Sequence, residues 1–228
     1  MESYMNPGAK FITILRYPVY QFVSAFLFFH IDKNIAGNTT DEKLLNYIQE
    51  DKWKKSNYGR NSQSYDLGLS KKYFDDVSIT RKLIERLSKE LHLVMISDYF
   101  EESLVLLKHE LRWSFEDVSF IFHNKGKREK PKLSVELVNA IKKFNNADVM
   151  LYDYFNKTFW DKIKEKGSSF WEDLKEFKRV QNQTVFRCSN ISTLSGGSKD
   201  GGLLRDTCET FSAKKLFKLL FKRQERKC

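Results

Sequence analysis

Cysteine, histidine and proline are scarce in this sequence, and the scarcity excludes several kinds of site. The three cysteines, Cys188, Cys208 and Cys228, fall in the last fifth of the chain and form no CxxC pair. The four histidines, His30, His92, His109 and His123, are scattered, so no metal-ligand spacing is present and no structural zinc is expected. A Cys188–Cys208 disulfide and three free thiols both remain open readings. No apolar run reaches the ~18 residues of a membrane span, and Met1–Lys10 lacks signal-peptide character. Nor is there a GxxxxGK[ST] segment or a comparable Gly-Ser/Thr phosphate loop.

What is present is a globular composition. Hydrophobic residues make up 41% of the 228 positions and aromatics 14%, with 19 Phe, enough for one sizeable core. The formal net charge of +10 favours an anionic partner without choosing among nucleic acid, a phosphorylated cofactor and an acidic membrane. Four Asn-x-Ser/Thr sequons occur, at Asn38, Asn156, Asn182 and Asn190. Chance gives about one or two in a chain of this length, so the excess points towards a secretory lumen.

Along the chain, residues 11–15 are short, apolar and β-branched and read as a buried strand. Pro18 suits a first helical turn, and Val19, Phe22, Val23, Phe26 and Phe29 recur at helical spacing to about His30. Residues 31–70 are polar, with a short helical stretch from Glu42 to Ile48 and a loop at 57–61. A helix over 73–91, with Val77, Leu83, Ile84 and Leu87 inward, leads into a second apolar strand over 91–96. Asp98 and Glu101 form a capping-box pattern before a helix carrying Phe100, Leu104, Leu107 and Leu111. Strand–helix thus occurs twice, which predicts an α/β domain in which 11–15 and 91–96 are parallel neighbours covered by the helices at 18–30 and 99–111. Further helices are expected at 134–145, 147–165 and 168–181. The domain is expected to span 1–190. A Ser/Gly-rich link and a basic amphipathic segment, with Leu216, Phe217, Leu219 and Leu220 among lysines and arginines, occupy 191–228.

One place suits anion chemistry. A strand ending in Arg16 and running into a Pro-started helix offers free N–H groups, a partial positive charge and a planar cationic fork. Ser24 lies off the apolar face of that helix and can add a hydroxyl. The competing reading is an Arg at a sheet edge and a solvated Ser.

Ile14-Leu15-Arg16-Tyr17-Pro18-Val19, with Ser24 downstream, resembles the 3′-phosphate-binding segment of sulfotransferases, although Tyr17 stands where Asp is usual. Arg60-Asn61-Ser62-Gln63-Ser64-Tyr65-Asp66-Leu67-Gly68-Leu69 resembles a segment of the galactose-3-O-sulfotransferase family. So do Ile96 to Lys108, with Trp113 and Glu116-Asp117-Val118, and Leu151 to Trp160. The four stretches keep the family's order and cover roughly residues 9–190.

The resemblance implies a P-loop-type sulfotransferase fold, a parallel sheet flanked by helices, of which this chain is the helix-rich C-terminal part. It implies sulfuryl transfer from 3′-phosphoadenosine 5′-phosphosulfate (PAPS), without a metal, to a galactose hydroxyl of a glycolipid or glycan on the lumenal side of the Golgi membrane. Arg16 and Ser24 would hold the donor's 3′-phosphate; Arg60, Asn61 and Tyr65 are candidates for substrate contact. The family's 5′-phosphosulfate loop lies upstream of the Arg16 strand, and only ten residues precede Phe11. That loop and any membrane anchor are therefore expected outside this chain, and no histidine is assigned as catalytic base. The alternatives are a non-catalytic basic protein for RNA or another polyanion, and a remnant that only binds glycans. Against RNA, the basic residues are dispersed and no nucleic-acid-binding motif occurs.

Overall fold

The computed structural model describes residues 8–50, 59–121 and 132–194, with side chains as far as Arg187. Two strands, β1 (Ile12–Leu15) and β2 (Leu93–Ile96), pair in parallel with Ile12 beside Leu93 and Leu15 beside Ile96. Nine helices accompany them among the described residues: α1 (Pro18–Phe28), α2 (Thr40–Gln49), α3 (Ser62–Asp66), α4 (Val77–Glu90), α5 (Phe100–Leu111), α6 (Phe115–Val118), α7 (Val135–Phe144), α8 (Asn146–Lys166) and α9 (Ser168–Leu194). The molecule is mostly helical around a small parallel sheet, consistent with the α/β expectation.

The side chains form two apolar clusters. The larger surrounds β2, where Leu93, Val94, Met95 and Ile96 are all buried. It draws Leu83, Ile84 and Leu87 from α4, Leu104 to Leu107 from α5, Leu151, Phe155, Phe159 and Ile163 from α8, and Phe170, Leu174 and Phe177 from α9. The smaller joins Val19, Phe22, Val23 and Phe26 of α1 to Leu44 and Tyr47 of α2 and to Leu137, Ile141 and Phe144 of α7. Tyr17 packs against both.

Several sequence expectations need correction. In β1 only Leu15 is buried; Ile12, Thr13 and Ile14 are half-buried, because the described residues cover that strand less fully than β2. Helix α5 lies against the sheet as expected, whereas the apolar face of α1 meets side chains of α2 and α7, with Phe22 and Phe26 on the Tyr47 ring and Phe22 on Phe144. Its face of Val19, Phe22, Val23 and Phe26 is spent there, and Phe29, just past its end, is exposed. Val77, expected inward, is exposed at the first position of α4. Asp98 does not cap α5: Tyr99 holds the N-cap position without a side-chain bond, and a 3₁₀ turn over Ser97–Tyr99 separates strand from helix. The reciprocal capping box belongs to Ser114 and Asp117 at α6. Helix α9 extends thirteen residues past the expected end at 181, to Leu194. The basic segment, most of the link, Cys208, Cys228 and His123 lie outside the described residues, as do the side chains of Cys188 and Asn190.

Candidate anion site at the strand ends

The carboxyl ends of β1 and β2 lie at one edge of the sheet, the edge at which parallel α/β sheets bind ligands. Arg16 and Tyr17 leave β1 there, and Ser97 and Asp98 leave β2. Helix α1 begins with Pro18 at its first position and has no side-chain cap from Tyr17, so its partial positive end is not neutralised by its own N-cap. Arg16 is half-buried, and its guanidinium makes no hydrogen bond or ion pair among the described residues; only its main chain is engaged. Ser24 is half-buried, about 9 Å along the helix from Pro18. Helical spacing puts it on the same face as Tyr20 and Tyr17.

Polar contacts from distant elements fix this junction. The Gln63 side chain grips the Arg16 backbone twice, accepting from its N–H at 2.8 Å and donating to its carbonyl at 3.0 Å. Asp98 Oδ2 accepts from Tyr17 N–H at 2.9 Å, and the Tyr152 hydroxyl points to the same oxygen at 3.4 Å. Burial, with Asp98 and Tyr99 beside it, pushes the Tyr152 hydroxyl well above the usual phenol range. The Tyr17 ring meets those of Tyr20 and Tyr152 at 5.7 and 5.5 Å, and Lys142 Nζ lies 5.9 Å above it.

Behind Gln63, the segment 60–66 is clasped to the start of α8. Asn61 is fully buried in the left-handed region, at φ 48°. Its Oδ1 accepts the Asp148 N–H at 3.2 Å, supplying an acceptor that Asn145 at the N-cap does not. Asn145 Oδ1 instead accepts Asn61 N–H at 2.8 Å. The buried Asp148 carboxylate takes the N–H groups of Ser64 at 2.7 Å and Gln63 at 3.2 Å. Burial raises Asp148 to about 6, while the bonds from Ser64 and Gln63 pull the other way.

The candidate residues are therefore placed in different settings. Arg16 and Ser24 share the β1–α1 unit. Arg60 turns to the scaffold: Nε donates to the Phe144 carbonyl at 2.7 Å and the guanidinium pairs with Asp75. That pairing holds the Asp75 carboxyl below its usual range. Asn61 is the buried clasp just described. Tyr65 is exposed, against the Phe74 ring and with Lys71 Nζ 5.5 Å over its own. Gln63, Asp98 and Asp148 were not singled out by the sequence for these roles, because their partners lie 47 to 85 residues away. Tyr152 entered only as part of the Leu151 to Trp160 stretch.

The described histidines sit elsewhere. His30 is exposed in a turn, and His92 Nδ1 accepts the Phe11 N–H at 3.1 Å. His109 lines a concavity of about 310 Å³ with Leu93, Leu106, Glu110, Lys162, Glu165 and Lys166, on the side from which β2 starts. Burial first, then Lys166 and Lys108, lower its pKa against the opposing effect of Asp173. No group of His, Cys, Asp or Glu suited to a metal occurs among the described residues.

A family model described as galactose-3-O-sulfotransferase matches residues 1–207. Among curated proteins, the chain is similar to galactose-3-O-sulfotransferase 2 of Mus musculus, 30% identical over 199 residues, covering 82% of this chain and 50% of the relative. It is 33% identical to the galactosylceramide sulfotransferase of Mus musculus over 176 residues, covering 73% and 41%. With galactose-3-O-sulfotransferase 3 of Homo sapiens it shares 28% over 199 residues, covering 82% and 46%. The chain thus spans about half the length, or less, of the curated relatives it matches. No solved structure matches it.

Proposed function

The chain belongs to the galactose-3-O-sulfotransferase family, and from that membership we propose that it is part of an enzyme that moves a sulfuryl group from PAPS to the 3-hydroxyl of a galactose on a glycolipid or glycan. In that reaction the acceptor hydroxyl gives up its proton to a base, its oxygen bonds to sulfur, the bond from sulfur to the donor's phosphate oxygen breaks, and adenosine 3′,5′-bisphosphate leaves. The fold proposed is the P-loop-type sulfotransferase fold, and the proposed location is the Golgi lumen. The described residues contain no helix long and apolar enough to cross a membrane.

The observation that carries the reading is the Arg16 guanidinium, unpaired among the described residues, beside the start of α1, where the Tyr17 side chain makes no cap bond. A phosphate there gains a charge-assisted, bidentate partner and the helix end together. Arg16 and Ser24 hold the donor's 3′-phosphate and so orient the adenosine half of the donor. The acceptor approaches from the side of Tyr65, the exposed ring of the segment, while Arg60 and Asn61 support that segment from within.

The test is calorimetric titration with adenosine 3′,5′-bisphosphate beside 5′-AMP. Wild type should prefer the bisphosphate, and Arg16→Ala should weaken it by about 2–3 kcal/mol, roughly thirty- to a hundredfold. Ser24→Ala should cost about 1 kcal/mol, the loss of a neutral hydroxyl bond. Equal binding of the two nucleotides by wild type would reject the 3′-phosphate site. Tighter binding of single-stranded RNA than of either, with a steep salt dependence, would replace the reading with a polyanion-binding one.

A further inference from the structure

The anion site depends on a residue that cannot itself be a phosphate ligand while it does what it does here. We propose that Gln63 is a positioning residue: its amide fixes the main chain of Arg16, and through it the direction of the guanidinium. The proposal rests on the reading of Arg16 as the 3′-phosphate ligand.

Arg16 follows the last paired residue of β1, so its main chain has left the ladder. It stands between the strand and a helix whose first residue, Pro18, has no N–H with which to secure the turn. A residue so placed has its N–H and C=O to satisfy, and a side-chain amide, which carries both an acceptor oxygen and a donor nitrogen, can accept from the first and donate to the second at once. Gln63 does both, as a further strand would. Asparagine, one methylene shorter, would not reach both atoms from the same backbone position.

Gln63 is itself held. Its N–H donates to Asp148 Oδ2, its neighbour Ser64 donates to Oδ1, and Asn61 closes the loop by accepting from the Asp148 N–H. The clasp therefore runs from the first turn of α8 through α3 to the strand end. The other side of the junction is fixed by Asp98 on Tyr17 N–H. With two successive peptide N–H groups pinned from different elements, the Arg16 side chain starts from a fixed Cα and Cβ. Such preorganisation decides how much binding an ordered phosphate contact returns.

Gln63→Met keeps length and bulk and removes both hydrogen bonds; Gln63→Glu keeps the acceptor for Arg16 N–H and loses the donor. For Gln63→Met, affinity for adenosine 3′,5′-bisphosphate should fall about tenfold while 5′-AMP binds unchanged, and amide exchange at Arg16 should accelerate more than in β2. Gln63→Glu should fall between wild type and Gln63→Met in exchange rate. The melting temperature separates local from global loss. If Gln63→Met lowers both nucleotide affinities together with the melting temperature, the residue is merely structural and the proposal fails. It also fails if wild type is selective for the bisphosphate and Gln63→Met equally so. A wild type without selectivity brings down the 3′-phosphate reading, and this proposal with it.

Discussion

At the scale of single residues, the clasp behind the site is built on buried polar groups, Asn61, Ser64, Asn145 and Asp148, and two of them make measurable claims. Asp148 is raised to about 6 from the ordinary carboxyl value because burial opposes its charge more than the Gln63 and Ser64 bonds support it. The folded state then holds the proton more tightly than the unfolded one. The group's contribution is most favourable below about pH 4, declines as pH rises to about 6, and is level above that. The rise from the ordinary carboxyl value to about 6 corresponds to roughly 3 kcal/mol. Denaturant titrations between pH 4 and 7 should show this decline as a difference between wild type and Asp148→Asn; identical pH profiles would mean that the carboxyl is not perturbed. Asn61→Ala should destabilise by about 3 kcal/mol, from a lost buried acceptor and a left-handed backbone that Ala resists, and Asn61→Gly by about 1 kcal/mol less. If Gly were as damaging as Ala, the backbone conformation would not be part of the cause. The Arg60-Asn61 pair was legible in the sequence as special but not as a clasp. A loop dipeptide rich in hydrogen-bonding groups looks the same whether it faces a ligand or the buried start of a helix 84 residues away.

At the scale of elements, periodicity was a good guide where a helix packs along its whole length. Helices α7 and α8 begin and end within a residue or two of the expected 134–145 and 147–165, because their apolar spacing and the Ser134 cap are local properties. Both strands and their parallel pairing were also legible, from two apolar β-branched runs each followed by a helix. What was not legible is which surface a helix covers. The apolar face of α1 is equally consistent with a sheet or with two helices, and the structure chooses α2 and α7. The Asp98-x-x-Glu101 pattern misled for a related reason: a carboxylate next to a helix start is available for a cap, but here Tyr17 N–H and Tyr152 claim it. Tyr17 bridges the two clusters, which gives an account of an aromatic at the position between Arg16 and Pro18. The division into two clusters predicts separable opening. Phe26→Ala, which leaves a cavity worth about 3–5 kcal/mol in the smaller cluster, should speed amide exchange in α1, α2 and α7 well before α5 and α8. Uniform acceleration would show that the clusters open as one unit.

At the scale of the whole molecule, the family was legible because four spaced segments agree in order, while composition alone left RNA, cofactor and membrane equally open. The lumenal proposal predicts which sequons can be used. Asn38 is exposed just before α2, and Asn182 is exposed on α9, whereas the Asn156 Oδ1 is buried within α8. Material secreted from animal cells should lose mass on glycosidase treatment, with peptide mapping placing glycans at Asn38 or Asn182 and not at Asn156. Unmodified secreted protein would count against a lumenal chain. The central claim, that the end of β1 receives the donor's 3′-phosphate, is tested most directly by a crystal structure of the chain with adenosine 3′,5′-bisphosphate. The 3′-phosphate oxygens should lie within hydrogen-bonding distance of the Arg16 guanidinium and of Ser24 Oγ, with Gln63 still paired to the Arg16 main chain. A nucleotide seated elsewhere, for instance against Lys162 and Lys166 in the concavity where β2 starts, with Arg16 uninvolved, would contradict it.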